Sequence, residues 1–243
     1  MIPMKDNIPT DRLPIVTLLL IAANVVVYFF LQHGGFAHGP AQSSVLHYGA
    51  IPAEITRQQP DGGPVPAWVT LFTAMFMHGG ILHLAGDLVF LWIFGINVED
   101  SMSRVRFVAF YLLGGLCAIG LQIALDTDAT APVVGASGAI AAVVGGYVVL
   151  HPRARVVTVV FALFFSTLIE VPVWLLVGLW FVMQAAFAAT SAAHPAGGSG
   201  GVAYFAQVGG FAFGLLAIRA FAQRRKRLPS SAAPAERAEA VLS

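Results

Sequence analysis

Six stretches of this chain are apolar for about twenty residues each, the length a helix needs to cross the hydrocarbon layer of a bilayer. They lie near 13–31, 81–98, 105–125, 133–150, 171–190 and 202–222. Such runs leave little polar surface. Only 10% of the 243 residues are charged and 58% are hydrophobic, with a mean hydropathy of +0.80, whereas soluble domains carry about 25% charged residues. That excludes a soluble enzyme, a disordered chain and a nucleic-acid binder, and a net charge of +1 offers no electrostatic footprint for an acidic partner. The single cysteine, Cys117, rules out an intrachain disulfide and, in an apolar run, reads as a packing residue.

The position of the charges sets the topology. Inside segments are rich in Lys and Arg. With six spans and both termini cytoplasmic, twelve of the 13 basic residues fall inside and only Arg57 lies outside. A seventh span would put Arg224, Arg225, Lys226 and Arg227 on the wrong side. The expected fold is therefore an all-α polytopic membrane protein. Residues 1–12 form a cytoplasmic N-terminus, 13–222 the membrane domain, and 223–243 a basic and then disordered tail. The basic cluster reads as a stop-transfer anchor or as an attractor of anionic lipid. The first span lacks a cleavage site and reads as a retained anchor. Residues 156–169 are apolar for only 14 positions, which suits an interfacial or re-entrant segment. The Pro- and Gly-rich stretch 33–69 is a solvated loop or one partly embedded in the interface. No internal repeat is visible, which weakens a transporter reading.

Polar groups at bilayer depth are costly and by default mark function. The second span carries His83 and Asp87, with His78 just before it. His83 and Asp87 are four apart and share a helix face, so the carboxylate can orient the imidazole. The alternative is a polar pair that only lends packing specificity. The fourth span contains Gly135-Ala136-Ser137-Gly138, and the sixth contains Gln207 followed by the G-x-x-x-G pair Gly210 and Gly214. Small residues let two backbones approach closely, which brings Ser137 toward Gln207. No H-E-x-x-H pattern is present for a zinc protease, and the five-residue spacing of His78 and His83 puts them on different faces of a regular helix. No second intramembrane Asp exists to complete an aspartyl dyad.

Taken together, His78-x-x-x-x-His83-x-x-x-Asp87, Gly135-Ala136-Ser137-Gly138 and Ala206-Gln207-Val208-Gly209-Gly210 resemble the motifs of rhomboid intramembrane serine proteases. So do Asn97-Val98-Glu99-Asp100, Arg106-Phe107, Tyr111-Leu112-Leu113-Gly114-Gly115 and His151-Pro152-Arg153-Ala154-Arg155, which resemble bacterial members from Asn24 to Ala217. The resemblance implies a six-helix bundle in the bacterial plasma membrane, acting on transmembrane helices of other proteins without a metal or organic cofactor. It implies Ser137 as nucleophile, His83 as an oxyanion donor, and His78, Gly135 and Gly138 as supporting residues.

Two positions depart from the family pattern. Its base position holds Gln207, whose amide takes up no proton near neutral pH, and its asparagine position holds Asp87, which repels an oxyanion unless protonated or paired. One reading is a rearranged protease, with His83 as base, Asp87 as its orienter and Gln207 as oxyanion donor. A second is a pseudoprotease that binds transmembrane helices without cutting them. A third takes Gln207 as a variant residue in an otherwise active chain. A channel or transporter is the remaining class. Neither the substrate nor the oligomeric state can be read from the sequence.

Overall fold

In lipid a backbone must satisfy its own hydrogen bonds, so long apolar runs become helices. The structure, a computed structural model, describes residues 2–57, 64–162, 165–193 and 203–223. The cluster at 224–227 and the tail beyond it lie outside the described residues. The elements run β1 (Ile2–Asp6), α1 (Ile15–Val26), α2 (Gln42–Tyr48), α3 (Pro52–Arg57), α4 (Ala67–Thr73), α5 (Ile81–Phe90), α6 (Ile96–Asp100), α7 (Arg104–Leu125), α8 (Ser137–Leu150), β2 (Arg155–Ala162), β3 (Phe165–Pro172), α9 (Val173–Ala193) and α10 (Tyr204–Phe221). A π-helical turn extends α1 to Leu31, and another joins α5 to α6 into one rod from Ile81 to Asp100.

Among the described residues three helices are long and apolar enough to cross a membrane: Ile81–Asp100, Arg104–Leu125 and Tyr204–Phe221. Ile15–Leu31, Ser137–Leu150 and Val173–Ala186 are shorter apolar helices. The protein is a mostly helical integral membrane protein.

Helix α8 is the centre. All eleven residues from Ser137 to Tyr147 are buried, as expected of a helix covered all round. Helix α10 packs on one side of it through the absence of side chains. A Cβ on Gly210 would fall on the Gly138 carbonyl, one on Gly214 on the Ala142 carbonyl, and one on Gly145 on the Phe211 carbonyl. Helix α7 closes another side. Its buried face of Phe107, Phe110, Tyr111, Gly114, Gly115 and Ala118 follows helical spacing, and Ser103 caps its start by accepting from the Arg106 amide at 3.4 Å.

Three expectations need correction. The chain is not all-helical: β1, β2 and β3 form a three-stranded antiparallel sheet, with Ile2 opposite Val159 and Arg155 opposite Pro172. The short run at 156–169 is thus part of a hairpin, because Val156, Val157, Thr158, Val159 and Val160 are β-branched and favour strands. Glu170 lies on β3 with its carboxylate 3.9 Å from Arg155. Second, the fourth helix starts at Ser137 and not at 133, since Val133 pairs with Ala50 and the Gly135 amide donates to the Ala74 carbonyl at 2.9 Å. Third, Cys117 is exposed on α7 and does not pack in the core. The stretch at 33–69 carries α2, α3 and the start of α4, with Phe36 and Trp68 exposed.

Candidate active site

Ser137 occupies the first turn of α8, with only 8% of its surface exposed. The first amides of a helix have no carbonyl partner within it, and here the earliest helical bond from this turn is Ile140 N–H to the Ala136 carbonyl at 2.9 Å. The amides of Ser137 and Gly138 therefore stand at a helix N-terminus, where partial positive charge accumulates.

Gly135 sets the approach to the serine. Its φ of +129° is a conformation that side chains rarely adopt. A Cβ placed there would lie 2.9 Å from both Cε1 and Nε2 of His83 and 3.3 Å from Ser137 Oγ. The imidazole and the hydroxyl thus border one small gap that any larger residue would fill.

His83 and Asp87 lie one helical turn apart on α5, with Nε2 of His83 3.7 Å from Asp87 Oδ2. His78 also reaches this carboxylate, its Nε2 3.3 Å from the same oxygen, and its ring stands edge-on to His83 with centroids 5.3 Å apart. On a regular helix His78 and His83 would diverge. They meet because His78 precedes α5 and the chain turns through Gly79 and Gly80 before the helix begins. Asp87 is therefore a carboxylate between two imidazoles, although Oδ2 and His78 Nε2 lack hydrogen-bond geometry.

Gln207 is 1% exposed, one turn before Gly210 on the α10 face that meets α8, and its Oε1 has no hydrogen-bond partner among the described residues. Gly210 and Gly214 hold that face against Gly138 and Ala142. A cavity of about 10 Å³, room for about one water, lies beside Ser137 between Met75, Ile119, Val134 and Ala206.

Three further polar residues belong to this neighbourhood and escaped the sequence reading. Gln32, wholly buried where α1 ends, grips the His78 backbone twice: Nε2 donates to the carbonyl at 2.9 Å and Oε1 accepts from the amide at 2.8 Å. Asn24 on α1 and Tyr111 on α7 are also wholly buried, and Asn24 Nδ2 donates to the Leu20 carbonyl at 2.7 Å. Their signal was available, since each is a lone polar group at bilayer depth. Among the described residues no group of three or more His, Cys, Asp or Glu is placed to hold a metal.

Comparison with known proteins agrees with the motif reading. A family model described as "Rhomboid domain" matches residues 66–224. The "Rhomboid protease GluP" of Bacillus subtilis is 31% identical over 142 residues, 58% of this chain and 26% of that protein. "RHOMBOID-like protein 6, mitochondrial" of Arabidopsis thaliana is 31% identical over 106 residues, 42% of this chain and 33% of that one. The rat "Presenilin-associated rhomboid-like protein, mitochondrial" is 26% identical over 99 residues, 40% of this chain and 26% of that one. The match thus spans a third or less of each of these relatives.

Proposed function

The chain belongs to the rhomboid family, and on that premise we propose that it is a serine endopeptidase of the bacterial plasma membrane that cuts transmembrane segments with a rearranged site. The membrane domain is 13–222, with six spans and both termini cytoplasmic. The distribution of Lys and Arg supports that orientation.

In this reading Ser137 Oγ attacks the scissile carbonyl and passes its proton to His83. The oxyanion forms against the amides at the start of α8 and the side-chain NH₂ of Gln207. Collapse breaks the C–N bond, and His83 returns the proton to the leaving amine. A water, deprotonated by His83, then attacks the acyl carbon; the ester C–O bond breaks and His83 returns the proton to Ser137 Oγ. Asp87 stabilises the imidazolium. His78 Nε2 stands 3.3 Å from Oδ2 of the same carboxylate. The observation that carries the reading is the shared gap at Gly135, bordered by the His83 ring and Ser137 Oγ.

The arrangement makes one demand. A base must present one nitrogen to the serine and the other to its orienter, yet Nε2 of His83 faces both Asp87 and Gly135. Catalysis therefore requires the ring to turn about χ2 as substrate enters. That same observation, with Gln207 at the usual base position, favours the second reading: a pseudoprotease that holds transmembrane helices of clients.

Cleavage of transmembrane reporter peptides by the full chain in liposomes separates the two. The protease reading expects product from the wild type and none from Ser137→Ala or His83→Ala, with Asp87→Asn slowed. Activity surviving in His83→Ala ends the rearranged mechanism. Tight reporter binding with no product under any condition establishes the pseudoprotease.

A further inference from the structure

A second cavity lies at the opposite end from Ser137. It has a volume of about 370 Å³ and lies where α1 begins and α6 passes into α7. Its walls are apolar: Leu13, Pro14, Met102 and Val105 contribute, and Leu13 and Val105 are 76% and 79% exposed. Arg12 and Arg104 stand at its rim, both exposed, and neither forms an ion pair with a described residue. Two guanidiniums beside an exposed apolar wall offer a fork for phosphate oxygens and a surface for an acyl chain.

Two carboxylates also line the cavity and must be weighed. Glu99 is turned inward onto the start of α1, accepting from the Val16 amide at 3.0 Å and from the Thr17 amide and hydroxyl at 2.8 Å each. Its charge is thus already matched by the N-terminus of that helix. Asp100 Oδ2 accepts from the Asp11 amide at 3.4 Å. Arg12 and Arg104 are the exposed cations that line the cavity.

We infer that this cavity is a binding site for an anionic phospholipid of the inner leaflet, its headgroup phosphate on Arg12 and Arg104 and an acyl chain along Leu13 and Val105. The leaflet assignment rests on the proposed orientation, which puts both arginines on the cytoplasmic side. The site lies next to Glu99, so a bound lipid braces the joint between α1 and the α6–α7 turn.

The test uses the full chain in non-ionic detergent micelles, where sidedness plays no part. Native mass spectrometry with added phosphatidylglycerol should show retained lipid. Retention should fall on the order of tenfold in Arg12→Gln/Arg104→Gln and stay unchanged in Arg219→Gln. Phosphatidylcholine should be held no better by the wild type than by the double variant. Because the double variant could unfold, the wild type is also melted with each additive. Phosphatidylglycerol should raise its Tm, and inorganic phosphate at equal concentration should not. Equal retention of phosphatidylglycerol by wild type and double variant, or equal stabilisation by inorganic phosphate, overturns the inference. The orientation is checked separately in a Cys117→Ser background, by labelling cysteines placed at 12 and 104 from each side of sealed vesicles. Labelling from the side of Arg57 would refute the orientation and leave the micelle result standing.

Discussion

The two ends of the central helix bury polar groups equally deeply and treat them in opposite ways. At the end where α8 runs out, Glu99 receives three donors, and the Asp6 carboxylate accepts from Asn97 Nδ2 at 2.7 Å and from the Tyr147 hydroxyl. At the other end His78 Nε2, Asp87 Oδ2 and Gln207 Oε1 lack hydrogen-bond partners among the described residues. A satisfied buried group adds to stability, while an unsatisfied one costs it. The saturated end therefore holds the helices together. On the proposed reading, the unsaturated end keeps polar atoms available to a substrate or water, as sites that trade stability for activity do.

The largest effect that tests this contrast is on rate. Ser137→Ala and His83→Ala should each lower cleavage by about 10⁶-fold, measured with the liposome assay, with little change in thermal unfolding. Loss of folding in His83→Ala would mean that the Ser137 end is structural after all. Asp87→Asn should cost rate by on the order of 10²-fold, and it should leave stability unchanged or higher because it removes a poorly satisfied buried charge.

At the seam between the ends, Gly210→Val should destabilise the fold by about 3 kcal/mol, because its Cβ would meet the Gly138 carbonyl. An unfolding titration in mixed micelles reads this directly. A tolerated valine would show that α8 and α10 lie farther apart.

At the saturated end the pattern reverses. Glu99→Gln should lower stability by about 2 kcal/mol and Tyr147→Phe by about 1 kcal/mol, with cleavage per folded molecule unchanged. A drop in that specific rate would break the division of labour between the two ends.

The smallest effect is a pH dependence at His151, which follows α8 and packs on Tyr147 with ring centroids 5.1 Å apart. Burial holds its pKa below the ordinary imidazole value, against the opposing pull of Asp6 and Asp100. A depressed pKa means that the unfolded chain binds the proton more readily. The stability from this neutral ring is thus complete above about pH 6.5 and is lost as pH falls through the folded value. His151→Asn should flatten that acid slope in unfolding titrations run from neutral pH downward.

How much could be read in advance follows from the same physics. The long helices were legible because apolar length and charge placement are written directly in the chain, and α5, α7 and α10 begin within two residues of their expected starts. The sheet was missed for a definite reason. Apolar length at 156–169 speaks only of membrane depth, whereas the strand signal is the β-branched run from Val156 to Val160. The partner strand at Ile2–Asp6 is too short and too far away in sequence to announce itself. Within the site the His83–Asp87 contact was legible because i and i+4 share a helix face. The His78 contact was not, because a turn and not a helix brings that ring back, and Gln32 holds it from 46 residues away. Gln207 was legible as a polar group at bilayer depth beside the glycine pair of its span, and again as a departure from a family pattern. No spacing rule could have shown that its oxygen lacks a partner.

The central claim is that Ser137 is an activated nucleophile despite the glutamine at 207, with His83 supplying the base. Labelling of the full chain in bilayers by a fluorophosphonate tests it most directly, followed in time for wild type, His83→Ala and Gln207→His. The account predicts that wild type labels at Ser137, that His83→Ala does not, and that Gln207→His changes the rate without being needed for it. A wild type that stays unlabelled while Gln207→His reacts would contradict it, and would make the natural chain a protease scaffold without its base.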